Sequence, residues 1–421
     1  MQASSVIEDR SDKPDIKTWL LVFALYVTQG VPLGVAFEAL PAILRAEGTS
    51  PEVIGFVGIM ILPWALKFLW APRIDRFSGK NPRKRRAFII PMQLLLAGLF
   101  FAIAVWPKSA EISMAVLVIL FIANIVSATQ DIATDGLVIE EIGKAKFGWV
   151  NSIQIGGFAA GMLLGGAATL ALYDWGGWTA SFLILGAGTL LTLLPLIFYR
   201  SPGPEHDLNR RKPDLVRPSI KRFFSRKHAW LMVSVAASFY FARAVAGSMT
   251  GPFLVDKSFA LSTIALINGV GIVTVTIAAA GLAGLIIQQI GATNTAIGSG
   301  ALAAVTLFLW LIPSLNAEPS LALILTVLIA NGIASGVAYV SFYTLFMTWS
   351  SSDQAGTDFS ILQSTETITN IIAAISAGTV VGWLGYSTNF TIAGIIGVTL
   401  IFWIIAAIFR IKPSDKIATH K

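Results

Sequence analysis

The chain has 421 residues, of which 55% are hydrophobic and only 13% charged, with a mean hydropathy of +0.74 and a net charge of +7. Soluble domains carry about 25% charged residues, so this composition describes an integral membrane protein, and the basic excess reports topology rather than a nucleic-acid partner. Cysteine is absent and there are three histidines, which excludes disulfides, thiolate metal sites and thiol nucleophiles and leaves little scope for a zinc or di-iron centre; no metal or other cofactor is expected.

The first 17 residues are polar and mixed in charge, without an n-region or a small-residue cleavage site, so no cleaved signal peptide is expected. A crossing helix needs roughly 20 apolar residues. Twelve segments qualify, within 18–44, 53–71, 88–106, 112–138, 147–172, 178–199, 229–254, 262–289, 294–313, 321–348, 359–382 and 389–409. The joins are short and rich in Gly, Pro, Ser or Asp, as in AEGTSPE, DWGG and PSLNAEPS. The polar, basic stretch 200–228 divides the segments into two groups of six. The expected organisation is a cytoplasmic segment (1–17), an N-terminal six-helix bundle (18–199), a cytoplasmic basic linker (200–228), a C-terminal six-helix bundle (229–410) and a cytoplasmic tail (411–421). With the N-terminus inside, 25 of the 30 Lys and Arg residues fall on the inner side, so the positive-inside rule predicts that both termini are cytoplasmic. The fold class is an all-α membrane protein of twelve transmembrane helices in two six-helix bundles.

Polar residues inside the spans carry the functional reading. In the first span, Pro32 and Pro41 withdraw backbone donors, which lipid tolerates only beside protein or water. That span reads as a bent, cavity-lining helix with Tyr26 and Gln29 toward a substrate, or as a packing kink. Glu38, near its outer end, reads as a proton site or as a wetted carboxylate. Lys67, between Trp64 and Trp70 near the inner end of the second span, is expected to snorkel to the interface. Asp75 and Arg76 follow in the inner loop, ahead of the run Arg83–Arg86.

The fourth span breaks the apolar pattern most sharply, with Gln130, Asp131, Asp135 and then Glu140 and Glu141. An aspartate at the centre of a span costs about 2.5–3.5 kcal/mol on insertion scales. Two of them four residues apart share one helix face and need a partner, a cavity or water there. Asp131, the deeper, reads as the proton-coupling carboxylate; Asp135 and Glu140, with Asp75 and Arg76, read as a cytoplasmic gate. The fifth span carries Gly156, Gly157, Gly161, Gly165 and Gly166, a spacing that lets helices approach closely.

In the second group of spans, Arg243 lies near mid-depth beside Tyr240 and must be paired or hydrated. Asp131, Glu366 or a substrate anion could answer it. Asn331, Tyr339 and Tyr343 in the tenth span, and Gln363 and Glu366 in the eleventh, add polar groups, some of them ordinary interhelical hydrogen bonds. The openings KFGWVNSIQ and QAGTDFSILQ, six spans apart, place Asn151 and Gln154 opposite Asp358 and Gln363, as in a diverged repeat. A repeat of this kind suits substrate binding between halves at mid-membrane.

Read together, QDIATDG at 130–136, KFLWAPRIDR before it and SIQIGGFAAGMLLGG after it resemble the AmpG-like branch of the major facilitator superfamily. Asp75-Arg76 with the later basics is a loose match to the loop signature of that superfamily, in which an acid and basics pin helix ends shut. The fifth span lacks the Gly-Pro pair of the antiporter signature. The twelve-span length, the ATQDIATDG form and the QAGTD start of the eleventh span look most similar to siderophore importers of the RhtX/FptX type. The resemblance implies a monomeric, proton-coupled importer in the bacterial inner membrane, with a siderophore, with or without iron, as its small-molecule partner beside the lipid bilayer. Gln130, Asp131 and Asp135 are the signature residues that carry over. Muropeptide or other anionic-solute permeation is the alternative. Muropeptide permeases tend to be longer, by two spans not found here. A Mg²⁺-dependent intramembrane prenyltransferase, suggested by the DxxxD pattern, and a non-transporting sensor of the same fold are further classes to separate. No nucleotide-binding loop is present, so direct ATP drive has no support.

Overall fold

The computed structural model describes residues 16–46, 56–79, 81–106, 113–199, 217–267 and 271–411. The expected N-terminal segment through residue 15, the linker through 216 and the tail from 412 lie outside these described residues.

All regular structure in the described residues is helical. Nine stretches are long and apolar enough to cross a bilayer, and a tenth joins them if one bent pair is a single crossing. In chain order these are α1 (Ile16–Arg45), α2 (the bent pair Val57–Leu69 and Ala71–Ser78), α3 (Pro82–Val105), α4 (Met114–Glu141), α5 (Lys144–Phe198), α6 (Ala229–Asp256), α7 (Ile272–Ile290), α8 (Ala292–Leu315), α9 (Leu321–Trp349) and α10 (Ala355–Ile411). α5 and α10 run 55 and 57 residues, more than twice the roughly 20 that one crossing needs. Each is interrupted by a glycine with positive φ, Gly177 at 73° and Gly385 at 80°, a conformation that a Cβ disfavours. Each is therefore two helices joined at a kink.

Proline shapes α2. Pro63 and Pro72 each sit in the first turn of a short helix, where the missing N–H is no loss. Around them the chain takes 3₁₀ turns at Phe56–Ile61 and Lys67–Leu69 and bends by 53°. Lys67 opens the 3₁₀ turn just before this break and is 1% exposed. The expectation that it snorkels is thus corrected: the bend and a neighbouring carboxylate hold it inside.

The fifth-span glycines form a seam with α1. A Cβ on Gly161 would run into the carbonyl of Val27, and one on Gly165 into that of Val31; in return, a Cβ on Gly30 or Gly34 would strike the carbonyls of Phe158 or Met162. Backbones this close need glycine on both sides. Farther out, a π-helical turn in each helix, Val35–Ala39 and Leu164–Ala168, continues the seam, and Glu38 packs on Gly166 there.

Apolar packing divides the molecule by depth. One buried cluster uses only residues between Val31 and Leu185, and another only residues between Ala242 and Ala393. A third draws on both parts of the chain, joining Val138, Phe147 and Val150 to Phe346, Phe359 and Ile411. The two parts share a core at the end that carries the basic α2–α3 loop and keep separate cores at the other.

Candidate functional site

Three polar clusters stand out among the described residues. The first surrounds the two aspartates of α4. Lys67 Nζ pairs with Asp131 Oδ2 and donates to Gln363 Oε1 at 2.5 Å, so a single ammonium ties α2 and α4 to α10. Its charge also lies 5.2 Å from the Trp64 ring centre. One turn along α4, Asp135 is 0% exposed and accepts on Oδ1 from Tyr26 Oη at 2.7 Å and Gln154 Nε2 at 3.3 Å. Its Oδ2 has no partner among the described residues, nor has either amide atom of Gln29 or Gln130. These are buried polar atoms, and burial without a partner is costly; their arrangement suits water, a proton or a substrate.

The second cluster belongs to the C-terminal part. Glu366 accepts from Tyr339 Oη and Tyr343 Oη at 2.6 Å each, and the two tyrosine rings stack 4.6 Å apart. Arg243 lies over the faces of Tyr240 and Tyr339, with its guanidinium carbon 5.4 and 5.7 Å from the ring centres. No carboxylate comes within ion-pair distance of it among the described residues. Phe239 stacks on Phe342 at 4.0 Å beneath this group. Tyr240, Tyr339 and Arg243 are each partly exposed.

The third cluster seals the basic-loop end. Arg85 grips Glu140 with two hydrogen bonds, Nε to Oε2 at 2.9 Å and Nη2 to Oε1 at 2.7 Å, and reaches Asp75 Oδ1 at 2.9 Å. The other oxygen of Asp75 accepts from the backbone N and the Oγ1 of Thr357, at 2.7 and 2.6 Å. Asp75 thereby caps the first turn of α10, where a carboxylate satisfies free N–H groups and the helix dipole. Gly136 and Gly356 make room: a Cβ on the first would strike the Arg85 guanidinium, and one on the second would crowd the Ile132 carbonyl and Asp75. Beside this lock, Arg226 bonds Asp358 at 2.7 Å and the Trp349 carbonyl at 2.6 Å, and Arg222 pairs with Asp353. At the edge, burial and the Glu141 carboxylate, which takes its hydrogen bond at 2.7 Å, hold the Tyr199 phenol well above its ordinary pKa.

The residues expected from sequence fall into place unevenly. Tyr26, Asp135 and Gln154 meet; so do Tyr240, Arg243, Tyr339, Tyr343 and Glu366; so do Asp75 and Glu140. Asp131 and Gln363 meet only through Lys67. Arg76 is exposed and donates to the Pro218 carbonyl at 3.1 Å, outside the lock. Asn331 bonds Thr306 and Asn151 bonds the Phe147 carbonyl and the Met347 sulfur, away from the central clusters. Lys67 was singled out only as a snorkelling cation, and Arg85 and Thr357 were not picked out individually. Arg85 carried a signal only as one of four consecutive cations, and helix phase alone selects the one that faces Asp75.

With this geometry in view, the comparisons become informative. The sequence profile described as Major Facilitator Superfamily matches residues 18–315. The anhydromuropeptide permease of Escherichia coli K12 is 24% identical over 375 residues, covering 87% of this chain and 75% of the permease. The proton:xylose symporter XylE superposes with a TM-score of 0.71 at 14% identity, over 94% of this chain and 96% of the symporter. A bacterial homologue of the iron transporter ferroportin, in an outward-facing state, gives 0.68 at 16% identity, over 94% and 99%. Those structural likenesses speak for the fold alone, and the profile match removes the prenyltransferase reading. A multi-pass helical bundle with its halves pinned at the basic-loop end, under a profile covering more than half its length, belongs to the major facilitator superfamily of membrane transporters.

Proposed function

We propose that this transporter is a proton-coupled importer of a siderophore, with or without its iron, in the bacterial inner membrane. The nine long stretches, the two kinks within α5 and α10 and the bent α2 make up twelve crossings, with both termini in the cytoplasm and the bundles at 18–199 and 229–410. The protein works as a monomer. In this reading the basic-loop end is the cytoplasmic gate, shut by Asp75, Arg85 and Glu140 onto Thr357, and the polar clusters above it are the binding region.

The observation that carries an anionic substrate is Arg243. It lies midway along α6, cushioned by Tyr240 and Tyr339 and without an ion-pair partner among the described residues. A cation at that depth needs an anion or water, and a planar guanidinium grips a carboxylate through two parallel hydrogen bonds that lysine cannot reproduce. Anhydromuropeptides, which also carry carboxylates, are the second reading, favoured by the named permease relative. Uptake of a labelled panel of siderophores and anhydromuropeptides into cells lacking other importers separates them. Siderophore accumulation that Arg243→Lys weakens in affinity, with folded yield unchanged, supports the proposal. Accumulation of anhydromuropeptides alone replaces the substrate, and Arg243→Lys with unaltered affinity removes the contact.

A further inference from the structure

Asp131 and Asp135 differ in what surrounds them. Asp131 has a cation bonded to it: Lys67, whose hydrogen bonds among the described residues go to Asp131 and the neutral amide oxygen of Gln363. Separating this buried pair would leave the ammonium without its bonded carboxylate, which is strongly unfavourable, so the ion pair holds the Asp131 carboxylate in place. Asp135 has no bonded cation among the described residues. The titratable and charged groups around it are Tyr26 on α1, Asp131 on its own helix and Lys67 on α2; Gln154, on α5, is neutral. Tyr26 and Gln154 both donate to Oδ1, and Oδ2 has no hydrogen-bond partner among the described residues in a site without solvent access. A bare carboxylate oxygen beside a second fixed carboxylate is the atom on which a proton relieves both burial and repulsion.

We infer that Asp135 is the carboxylate that carries the transported proton, and that Lys67 acts as a positioning residue that holds the Asp131 carboxylate in an ion pair. The inference rests on the proton-coupled reading above. On loading, an O–H bond forms at Asp135 Oδ2 with a proton from the outer side. On release that bond breaks, the proton passes to cytoplasmic water and the carboxylate keeps the Tyr26 and Gln154 hydrogen bonds on Oδ1. Gln29 lies one turn beyond Tyr26 on α1 and Gln130 five residues before Asp135 on α4, both on the outer side. Their unpartnered amides suit a short file of water leading to Oδ2. On the inner side, Glu140 of the gate follows Asp135 by five residues, so breaking the Arg85 lock opens the way for water to reach the acid. Gate opening and proton release are then one event.

The test needs no substrate. Infrared difference spectra of the full-length protein in liposomes, recorded as pH is lowered, report the carbonyl band of each carboxyl group that takes a proton. Asp135→Asn is expected to lose a protonated-carboxyl band that the pair variant Lys67→Met with Asp131→Asn retains; the pair is changed together so that no unpaired charge stays buried. Asp135→Glu, which keeps a titratable group should the Asn variant fold poorly, is expected to shift that band. Loss of the band in the pair variant with retention in Asp135→Asn overturns the inference, as does a titrating band that none of the three variants alters. The failure of proton coupling itself reads differently: wild-type proteoliposomes would show no substrate-driven alkalinisation outside, whatever the infrared spectra say.

Discussion

The two ends of the bundle are built on different principles. At the basic-loop end, contacts cross between the N- and C-terminal parts: Asp75 to Thr357, Lys67 to Gln363, Ser364 to the Trp64 carbonyl and a shared apolar core. At the other end, among the described residues, the side-chain bonds and apolar clusters named here stay within one part. Tyr386 bonds Asp256 at 2.7 Å, Trp178 bonds the Ile103 carbonyl at 2.8 Å, Glu38 packs on Gly166, and the apolar clusters are separate. Hydrogen bonds and ion pairs at the crossing end can be exchanged for water when it opens, whereas a seam of interlocked backbones cannot. In the proposed transport cycle the difference puts the motion between the parts and at the polar end, with each part moving as a unit.

The largest effect is expected from Arg85→Ala. It leaves the buried Asp75 carboxylate without its cation, a loss of about 3–5 kcal/mol for a pair of this kind. The native chain has no cysteine, so spin labels on Lys144→Cys and Ser352→Cys, which face the same inner cleft of about 600 Å³, read the gate without background. The labels should move apart and the melting temperature should fall. An unchanged distance distribution would mean that the lock does not hold the two parts together.

This lock also shows what the sequence could and could not convey. The hydropathy pattern carried an all-helical bundle of apolar crossings, and the four-residue spacing put Asp131 and Asp135 one turn apart on α4. Gly161 and Gly165 were legible as a packing seam because small residues at that interval have one physical use. Lys67 was misread because hydropathy measures depth along one helix and cannot see an acid on the next; only the bend between Pro63 and Pro72 turns the ammonium toward Asp131. Arg85 could not be picked from Arg83–Arg86, since all four have equal charge and only the helix phase set by the Asn81 cap, which accepts from Arg83 N and Lys84 N, points one of them inward. Asn331 was named for a polarity that a neighbouring threonine satisfies.

Within one part, Gly165→Ala probes the seam. The added methyl meets the Val31 carbonyl and lies 2.9 Å from Val35 N, backbone atoms that cannot swing aside, at a cost of up to about 3 kcal/mol for overpacking. The expected outcome is a lower melting temperature with the label distance across the cleft unchanged. A shift in that distance would show that the α1–α5 seam takes part in gating.

The last comparison matches two deletions of a single hydroxyl. Thr357→Val keeps the backbone N–H on Asp75 but removes the 2.6 Å bond from Oγ1, a bond to a buried charge worth about 2 kcal/mol. Because the two partners lie on opposite parts, all of that loss falls on the closed gate and none on either bundle. The label distance should therefore shift toward the separated state while the melting temperature changes little. Tyr386→Phe removes a bond of similar length, to Asp256, but both partners lie in the C-terminal part and the site is open to solvent. Water replaces the lost partner there, so the effect on stability is below about 1 kcal/mol, and the gate distance should not move. The deletions differ in where the bond leads more than in what it is. Equal shifts of the gate by both variants would show that the outer end is coupled to the lock, and the division between a crossing end and a non-crossing end would have to be abandoned.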